Sequence, residues 1–379
     1  MIDGNVNGKM NKKGNILILL LCILILLCGC QQNNGNKNVR ESIGENYEEI
    51  NLSLDPILSY ETFNDDYVIY MTSSGELVKI CANSNQRELL CNIPDFYLSM
   101  KHKVLDYPYI YFFAASVKED TDNITNVLFR FNIESSQIDR FENEDGSEPG
   151  IPTYLFNGRI LTLKNIVTDE STTTFIEAVN VEKNEWEKVL ECSLDNKTYK
   201  GDAVFAVCAN EKNVFALCDK RNGANEIETY LIILNDRFET ISSIKVDSAI
   251  HDYVMTSFIT DIQAFGDYIY IINASNYGFL GKIENGQFLE VFKGRNFTMA
   301  INQSIDMPIF YTRRSNSVYM INDSGKLQEQ KISIENGYSI MFMMTNEESC
   351  FAVCYADDKD EHGYIFAKKD IGNIILPCK

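Results

Sequence analysis

The chain has 379 residues and carries 34 Lys and Arg against 54 Asp and Glu, a net charge of −20 at pH 7. This negative charge repels nucleic acid phosphates, and no basic stripe occurs along the sequence, so no nucleic acid partner is expected. Roughly 330 residues follow the N-terminal segment, a length that suits two domains or one large β-architecture.

The N-terminal segment has the pattern of an export signal. Lys12 and Lys13 precede an unbroken apolar run, residues 16–28. A bilayer core takes roughly 20 helical residues, so the run is short for a membrane span. It fits the apolar part of a signal peptide behind a positive flank, with a spanning anchor as the alternative. Met10 begins MNKKGNILILL, the usual form of such a signal, and is therefore the expected start.

Two cysteines, Cys28 and Cys30, follow this run with Gly29 between them. Cleavage of a signal needs a small residue before the cut, which Gly29 provides for Cys30. The tetrapeptide Leu27-Cys28-Gly29-Cys30 resembles the lipobox of bacterial lipoproteins, although Cys28 stands where Ala, Ser or Thr is usual. The resemblance covers about the first 30 residues and gives no biochemical activity.

The lipobox resemblance implies a complete anchoring arrangement. Residues 1–29 would be a signal peptide, cleaved between Gly29 and Cys30. The Cys30 thiol would carry a diacylglyceryl group that holds the exported chain in the lipid bilayer, at the outer face of the cytoplasmic membrane. Residues 30–50 would then be a flexible tether, because they are polar and cannot bury enough apolar surface to offset the entropy of ordering.

Cleavage would leave a mature chain with 31 basic and 53 acidic residues, because Lys9, Lys12, Lys13 and Asp3 are removed. Eight cysteines follow Cys30, most of them within apolar, strand-like runs. Free Cys behaves there as a small buried hydrophobe, so mainly reduced thiols are expected. Reduced thiols would suit a Gram-positive exporter.

Residues 51–379 contain a repeated pattern of short apolar runs separated by polar turns. No long window in this range has apolar residues at the period of an α-helix. In the clearest unit, residues 260–292, the hairpin signal Asn285-Gly286 joins the last two of four runs. Four short strands with a period of about 40–55 residues are typical of a β-propeller. The predicted fold is an all-β β-propeller of seven four-stranded blades, with six or eight as alternatives. The second strands read YVIYM, YIYFF, RILTL, VFALC, YIYII, IFYTR and CFAVC.

The turns and the chain ends complete the predicted ring. The sequences TSSGE, LNDR, ENGQ and NDSGK are expected to join third and fourth strands, where tight hairpins are needed. A segment near residues 48–54 would add a strand beside the last run, residues 373–376, and so close the ring.

No catalytic residue, metal site or cofactor site is predicted. His102, His251 and His362 are isolated, and no CxxC or HExxH motif occurs. The G-x-S-x-G nucleophile motif and phosphate-binding glycine loops are also missing from the sequence. Six strand aromatics could stack on sugars, but aromatic side chains usually fill the core of a sheet protein, and packing is expected for them. They are Tyr70, Tyr109, Tyr111, Phe129, Tyr268 and Tyr270.

Three functions remain open. The favoured one is a membrane-anchored lipoprotein whose propeller is a binding module for a protein partner or an envelope glycan. The first alternative, an exported enzyme acting on glycans or peptides, rests on fold analogy alone. The second is a structural or sensory accessory of an envelope complex. Acidic and histidine side chains clustered in the central funnel would favour the enzyme, whereas an apolar patch on one face would favour a binding or accessory role.

Overall fold

The structure is a computed structural model, and it describes residues 47–52, 57–64, 66–82, 84–92, 96–117, 124–141, 150–223, 226–246, 259–273, 275–302, 308–322, 324–332, 337–346, 349–356 and 362–367. The chain divides into two units, residues 1–42 and 43–379, and all described residues belong to the second. The predicted signal, Gly29, Cys30 and most of the tether therefore lie outside them. Within these ranges no helix has the length and apolar character needed to cross a membrane.

The described residues form an all-β structure without helices. In chain order the strands are β1 (Tyr47–Asn51), β2 (Ile57–Phe63), β3 (Tyr67–Thr72), β4 (Glu76–Cys81), β5 (Arg87–Asn92), β6 (Phe96–Asp106), β7 (Tyr109–Val117), β8 (Ile124–Asn132), β9 (Ile138–Phe141), β10 (Ile151–Phe156), β11 (Arg159–Val167), β12 (Ser171–Asn180), β13 (Glu185–Asp195), β14 (Lys200–Ala209), β15 (Val214–Gly223), β16 (Glu226–Leu234), β17 (Thr240–Lys245), β18 (Ile259–Phe265), β19 (Tyr268–Asn273), β20 (Tyr277–Glu284), β21 (Gln287–Arg295), β22 (Phe297–Met299), β23 (Ile301–Asn302), β24 (Ile309–Thr312), β25 (Ser317–Ile321), β26 (Leu327–Lys331), β27 (Ser339–Thr345), β28 (Ser349–Tyr355) and β29 (His362–Ala367).

These strands form a β-propeller, but not as the seven separate four-stranded sheets predicted from the sequence. Four sheets have four strands each: β2–β5, β6–β9, β18–β21, and β22 with β24–β26. Strands β10–β17 form one eight-stranded sheet, because β13 and β14 pair through Leu194↔Gly201 and Asp195↔Lys200. The remaining sheet has five strands in the order β1-β29-β28-β27-β23, since β23 adds a short parallel pairing to β27.

The core lies between successive groups of strands. The second strands are apolar and almost fully buried, as in β3 and β19, whereas outer strands such as β5 and β17 are largely exposed. Six hydrophobic clusters of the described residues each join one group of strands to the next along the chain. The cluster around Ile50 and Phe351 joins the last group to the first, so the packing closes on itself.

The N-terminal strand closes the ring. Strand β1 pairs antiparallel with β29 over five residue pairs, from Tyr47↔Phe366 to Asn51↔His362. A closing strand near residues 48–54 was predicted at the last unit, and β1 supplies it there beside β29; residues 373–376 lie outside the described residues. The strand begins at Tyr47, ahead of the domain start predicted at residue 51.

The tight turns follow their sequences with one exception. Asn285 and Gly286 both have positive φ, 52° and 73°, as their hairpin signal predicts. The turns LNDR, ENGQ and NDSGK join third and fourth strands, as predicted. TSSGE instead joins the second and third strands of its sheet, β3 and β4.

Candidate interaction surface

Two neighbouring hairpins of the eight-stranded sheet, like the hairpin β7–β8 with nine residues in each strand, are longer than the second-strand hairpins of the other sheets. Strands β3 and β19 have six residues each, whereas β11 has nine and β15 has ten. At about 3.3 Å per residue, the extra three or four residues carry these hairpins roughly 10–13 Å further along the strand direction. We call this projecting part of the sheet, residues 165–173, 193–202, 220–223 and 226–228, the crest.

Hydrogen bonds connect two turns of the crest to each other. The backbone N–H of Asn196 donates to the carbonyl oxygen of Glu170 over 2.9 Å, and its side-chain Nδ2 donates to the carbonyl oxygen of Thr168 over 2.8 Å. Asn196 Oδ1 accepts a bond from Thr172 Oγ1 at 2.9 Å. The turn between β11 and β12 is therefore fixed to the turn between β13 and β14.

A close backbone approach at Gly201 makes the continuous sheet possible. Gly201 has φ +127°, a conformation that L side chains rarely adopt, and a Cβ atom there would overlap the carbonyl oxygen of Ser193. Any larger residue would push β14 away from β13. Glycine at this position thus allows the pairing that merges two groups of strands.

The crest exposes three large apolar side chains at its two joined turns. Val167 is 71% exposed, Ile166 is 44% exposed and Tyr199 is 48% exposed. Other exposed aliphatic side chains of the described residues lie one to a strand on outer strands, as Leu289 does on β21 and Ile241 on β17. Single exposed apolar residues are normal, whereas a group at one projecting edge is typical of an interaction surface.

The backbone at Tyr199 is strained. Its φ of +55° is uncommon for a bulky residue and costs about 1–2 kcal/mol. The turn holds this conformation through Asp195, whose carbonyl oxygen accepts from the N–H of Tyr199 at 2.8 Å. Asp195 Oδ1 accepts from the N–H groups of Thr198 and Lys197, each at 2.8 Å, and these bonds lower the pKa of its carboxyl group. Strain of this kind is often retained where a side chain has a function.

Several charged groups of the crest and its surroundings are paired. Lys197 Nζ lies 3.4 Å from Glu170 Oε1, between the two joined turns. Buried Asp219 accepts a 2.9 Å bond from Thr229 Oγ1 and forms an ion pair with Arg221 at 3.3 Å. Glu228 pairs with Lys245, and the bond from the lysine, followed by one from a neighbouring tyrosine, lowers the pKa of Glu228.

The structure places the other residues singled out by sequence as follows. His251 lies outside the described residues, while His102 and His362 lie on β6 and β29. Among the described residues, no group of three or more His, Cys, Asp or Glu side chains could hold a metal ion. No disulfide joins the seven cysteines in these ranges to one another: Cys81, Cys91, Cys192, Cys208, Cys218, Cys350 and Cys354.

The packing role predicted for the strand aromatics is confirmed. Tyr70, Tyr111, Phe129 and Tyr270 are buried. Tyr109 and Tyr268 are half-buried and lie under cations, with the Arg130 guanidinium 4.8 Å from the Tyr109 ring centroid and Lys282 Nζ 5.8 Å from the Tyr268 ring centroid. These aromatic side chains fill the interfaces between strand groups and offer no open platform for a sugar.

Sequence reasoning missed the crest. The projecting part of β11 and β12 reads NIV and STT, so its polar and β-branched residues look like the end of a strand and a loop. A signal was nevertheless present, because Thr, Ile and Val favour strands whether or not they are buried.

No protein-family model and no curated protein matches the sequence. Among solved structures, the acylaminoacyl peptidase of Pyrococcus horikoshii is 12% identical with a TM-score of 0.46, over 69% of this chain and 43% of that chain. The β-propeller domain of the Trilobed protease from Pyrococcus furiosus is 13% identical with a TM-score of 0.45, over 69% and 78% of the two chains. Virginiamycin B lyase from Staphylococcus aureus is 14% identical with a TM-score of 0.47, over 84% and 98%. The chain thus spans less than half the length of the peptidase, and similarities at this level give no function.

Proposed function

We propose that this protein is an exported lipoprotein, anchored through Cys30, whose β-propeller binds a partner protein through the crest. The observation that carries the proposal is the group of exposed Ile166, Val167 and Tyr199 on a rigid, projecting edge. Aliphatic side chains bury well against a protein surface, whereas an envelope glycan would be met mainly by aromatic and polar groups. The crest therefore favours a protein partner over a glycan.

We further infer that the propeller has seven blades. The eight-stranded sheet would comprise two blades, β10–β13 and β14–β17, which share two residue pairs at the crest. The five-stranded sheet would be one blade of β27, β28, β29 and β1, with β23 added at its inner edge. Seven hydrophobic clusters between successive strand groups support this count, because a closed ring has as many interfaces as blades.

The position of β1 supports an orientation in which the crest is directed away from the membrane. Strand β1 begins at Tyr47, beside Phe366 at the end of β29, on the face opposite the crest. Sixteen residues separate Tyr47 from Cys30. A flexible segment of that length has an end-to-end distance of roughly 22 Å, so the propeller would lie near the bilayer with its partner surface outward.

The anchor and the partner surface are tested separately. Replacing Cys30 by Ala should abolish incorporation of a labelled fatty acid and release the protein from the membrane fraction. For the crest, a photo-crosslinking amino acid replaces Val167 in intact cells, and a matched variant carries it at Leu289, which is also exposed but lies on β21. We expect one protein to be captured from position 167 and not from position 289. Equal capture from both positions, or none from position 167, would refute the crest as the binding surface.

A further inference from the structure

Three arginines meet where three sheets adjoin, on the same face of the propeller as the crest. Arg295 is the last residue of β21, and Arg313 and Arg314 follow β24. The N–H of Arg313 donates to the carbonyl oxygen of Asn296 over 2.9 Å, which places Arg313 beside Arg295. The N–H of Arg314 donates to the carbonyl oxygen of Ile340 over 2.8 Å. Segments distant in sequence thus bring the backbones of three arginines close together.

Arg313 is half-buried and has only neutral partners. Its Nη1 lies 3.4 Å from Asn276 Oδ1, and its other polar neighbour is the buried hydroxyl of Tyr311. Its Nε is shielded from solvent and has no hydrogen-bond partner. Charged groups that are partly removed from water are normally paired, because desolvation is costly. An anion at Arg313 would supply the missing charge.

Four other arginines of the described residues are paired, whereas Arg237 is not. Each of the following forms an ion pair with a carboxylate: Arg87, Arg130, Arg159 and Arg221. Arg295, Arg313 and Arg314 form none within the described part of the chain, although the protein has 54 acidic residues to offer. Three neighbouring arginines with no counter-charge among the described residues are unexpected in so acidic a chain.

The turn that carries Arg314 is also strained. Arg314 has φ +61°, the left-handed region that L residues usually avoid, and its side chain is exposed. Glycine or asparagine would fit this turn at lower cost, so arginine here is not explained by the backbone. The side chain itself is a better reason for its presence.

We propose that Arg295, Arg313 and Arg314 form a binding site for a phosphate group. Planar guanidinium groups donate paired hydrogen bonds that match phosphate oxygens. Three cations match the charge of a doubly charged phosphate better than they match the single charge of a carboxylate. Because the net charge of the chain repels anions at a distance, binding would depend on these local contacts and would weaken with added salt.

The test is a titration of the purified protein with inorganic phosphate at constant ionic strength, followed by calorimetry. Saturable binding is expected, and Arg313→Gln should weaken it at least tenfold. The matched control is Arg237→Gln, because Arg237 is exposed, lies in the turn between β16 and β17, and has no ion pair among the described residues. If Arg313→Gln does not fold, the double substitution of the exposed Arg295 and Arg314 by Gln serves instead.

Absence of saturable binding, or an equal loss in Arg237→Gln, would overturn the site. The source of the phosphate is tested in a second arm, by co-sedimentation with phosphatidylglycerol vesicles against phosphatidylcholine vesicles. Sedimentation that depends on Arg313 would identify a lipid headgroup and would contradict the outward orientation proposed for this face. Phosphate binding without sedimentation would identify a soluble phosphate ester, and both results support the phosphate site.

Discussion

Replacing Ile50 by Ala tests whether β1 closes the ring. Ile50 is fully buried, at 0% exposure, and lies in the cluster that joins the first and last groups of strands. The substitution removes three carbon atoms, worth about 2.4 kcal/mol at about 0.8 kcal/mol each. The cavity left behind adds to this loss, so the free energy of unfolding should fall by about 3–4 kcal/mol.

The matched control is Ile241→Ala. Ile241 also lies on an outer strand, β17, but it is 57% exposed. The same three carbon atoms are removed there without leaving a cavity, so the loss should stay below about 1 kcal/mol. Urea denaturation followed by tryptophan fluorescence, with Trp186 as the probe, measures both variants. With a slope of about 3 kcal/mol per M, the Ile50 variant should lose about 1 M in its midpoint. Equal losses in the two variants would refute closure of the core by β1.

Three further predictions concern the crest and the core. Gly201→Ala should lower the free energy of unfolding by about 3 kcal/mol in urea titrations, because the added Cβ would overlap the carbonyl oxygen of Ser193. Gly286→Ala, where the added Cβ meets open space, should lower it by only about 1 kcal/mol. Equal losses would contradict the close approach at Gly201. Tyr199→Asn should raise the thermal midpoint by relieving its positive φ while reducing capture of a partner from position 167; an unchanged midpoint would argue against strain. Burial raises the pKa of the Cys354 thiol to about 12, so as pH rises above 9 the thiol ionises first in the unfolded chain, and stability is lost between pH 9 and 12. In urea titrations from pH 8 to pH 10.5, the free energy of unfolding of the wild type should fall by about 2 kcal/mol more than that of Cys354→Ala. Equal losses in the two proteins would exclude this thiol as a cause.

The strand pattern was predictable because each second strand is a short, dense apolar run. Sequences such as YIYII and VFALC must be buried, and their spacing leaves room for four strands in each repeat. All seven second strands lie where the sequence predicts them, as β3, β7, β11, β15, β19, β24 and β28. The hairpin at Asn285-Gly286 was predictable because its backbone conformation needs those residue types.

The division into sheets was not predictable from the same pattern. Whether β13 and β14 join depends on the backbone approach at Gly201, which periodicity does not reveal. The partner of β1 depends on a pairing between residues more than 300 positions apart. Both features are set by tertiary contacts, which override local preference.

The candidate sites were harder still to predict. The crest consists of Thr, Asn and charged residues with a few aliphatic ones, a composition that loops share. The arginines come from two turns, and the sequence shows no basic stripe because Arg295 lies 18 residues before Arg313. Only the pairing of β22 with β24 brings these turns together.

Ring closure by β1 has a consequence for the order of folding. The strand is made first, whereas its partner, β29, is made more than 300 residues later. Until β29 is available, the apolar side of β1 and the hydrogen-bonding groups of both strands have no partner, and closing so long a loop is slow. A newly made chain would therefore pass through an open ring with an accessible N-terminal strand. A factor that binds extended peptide segments could bind β1 at this stage. Once β1 has paired with β29, the strand is no longer accessible.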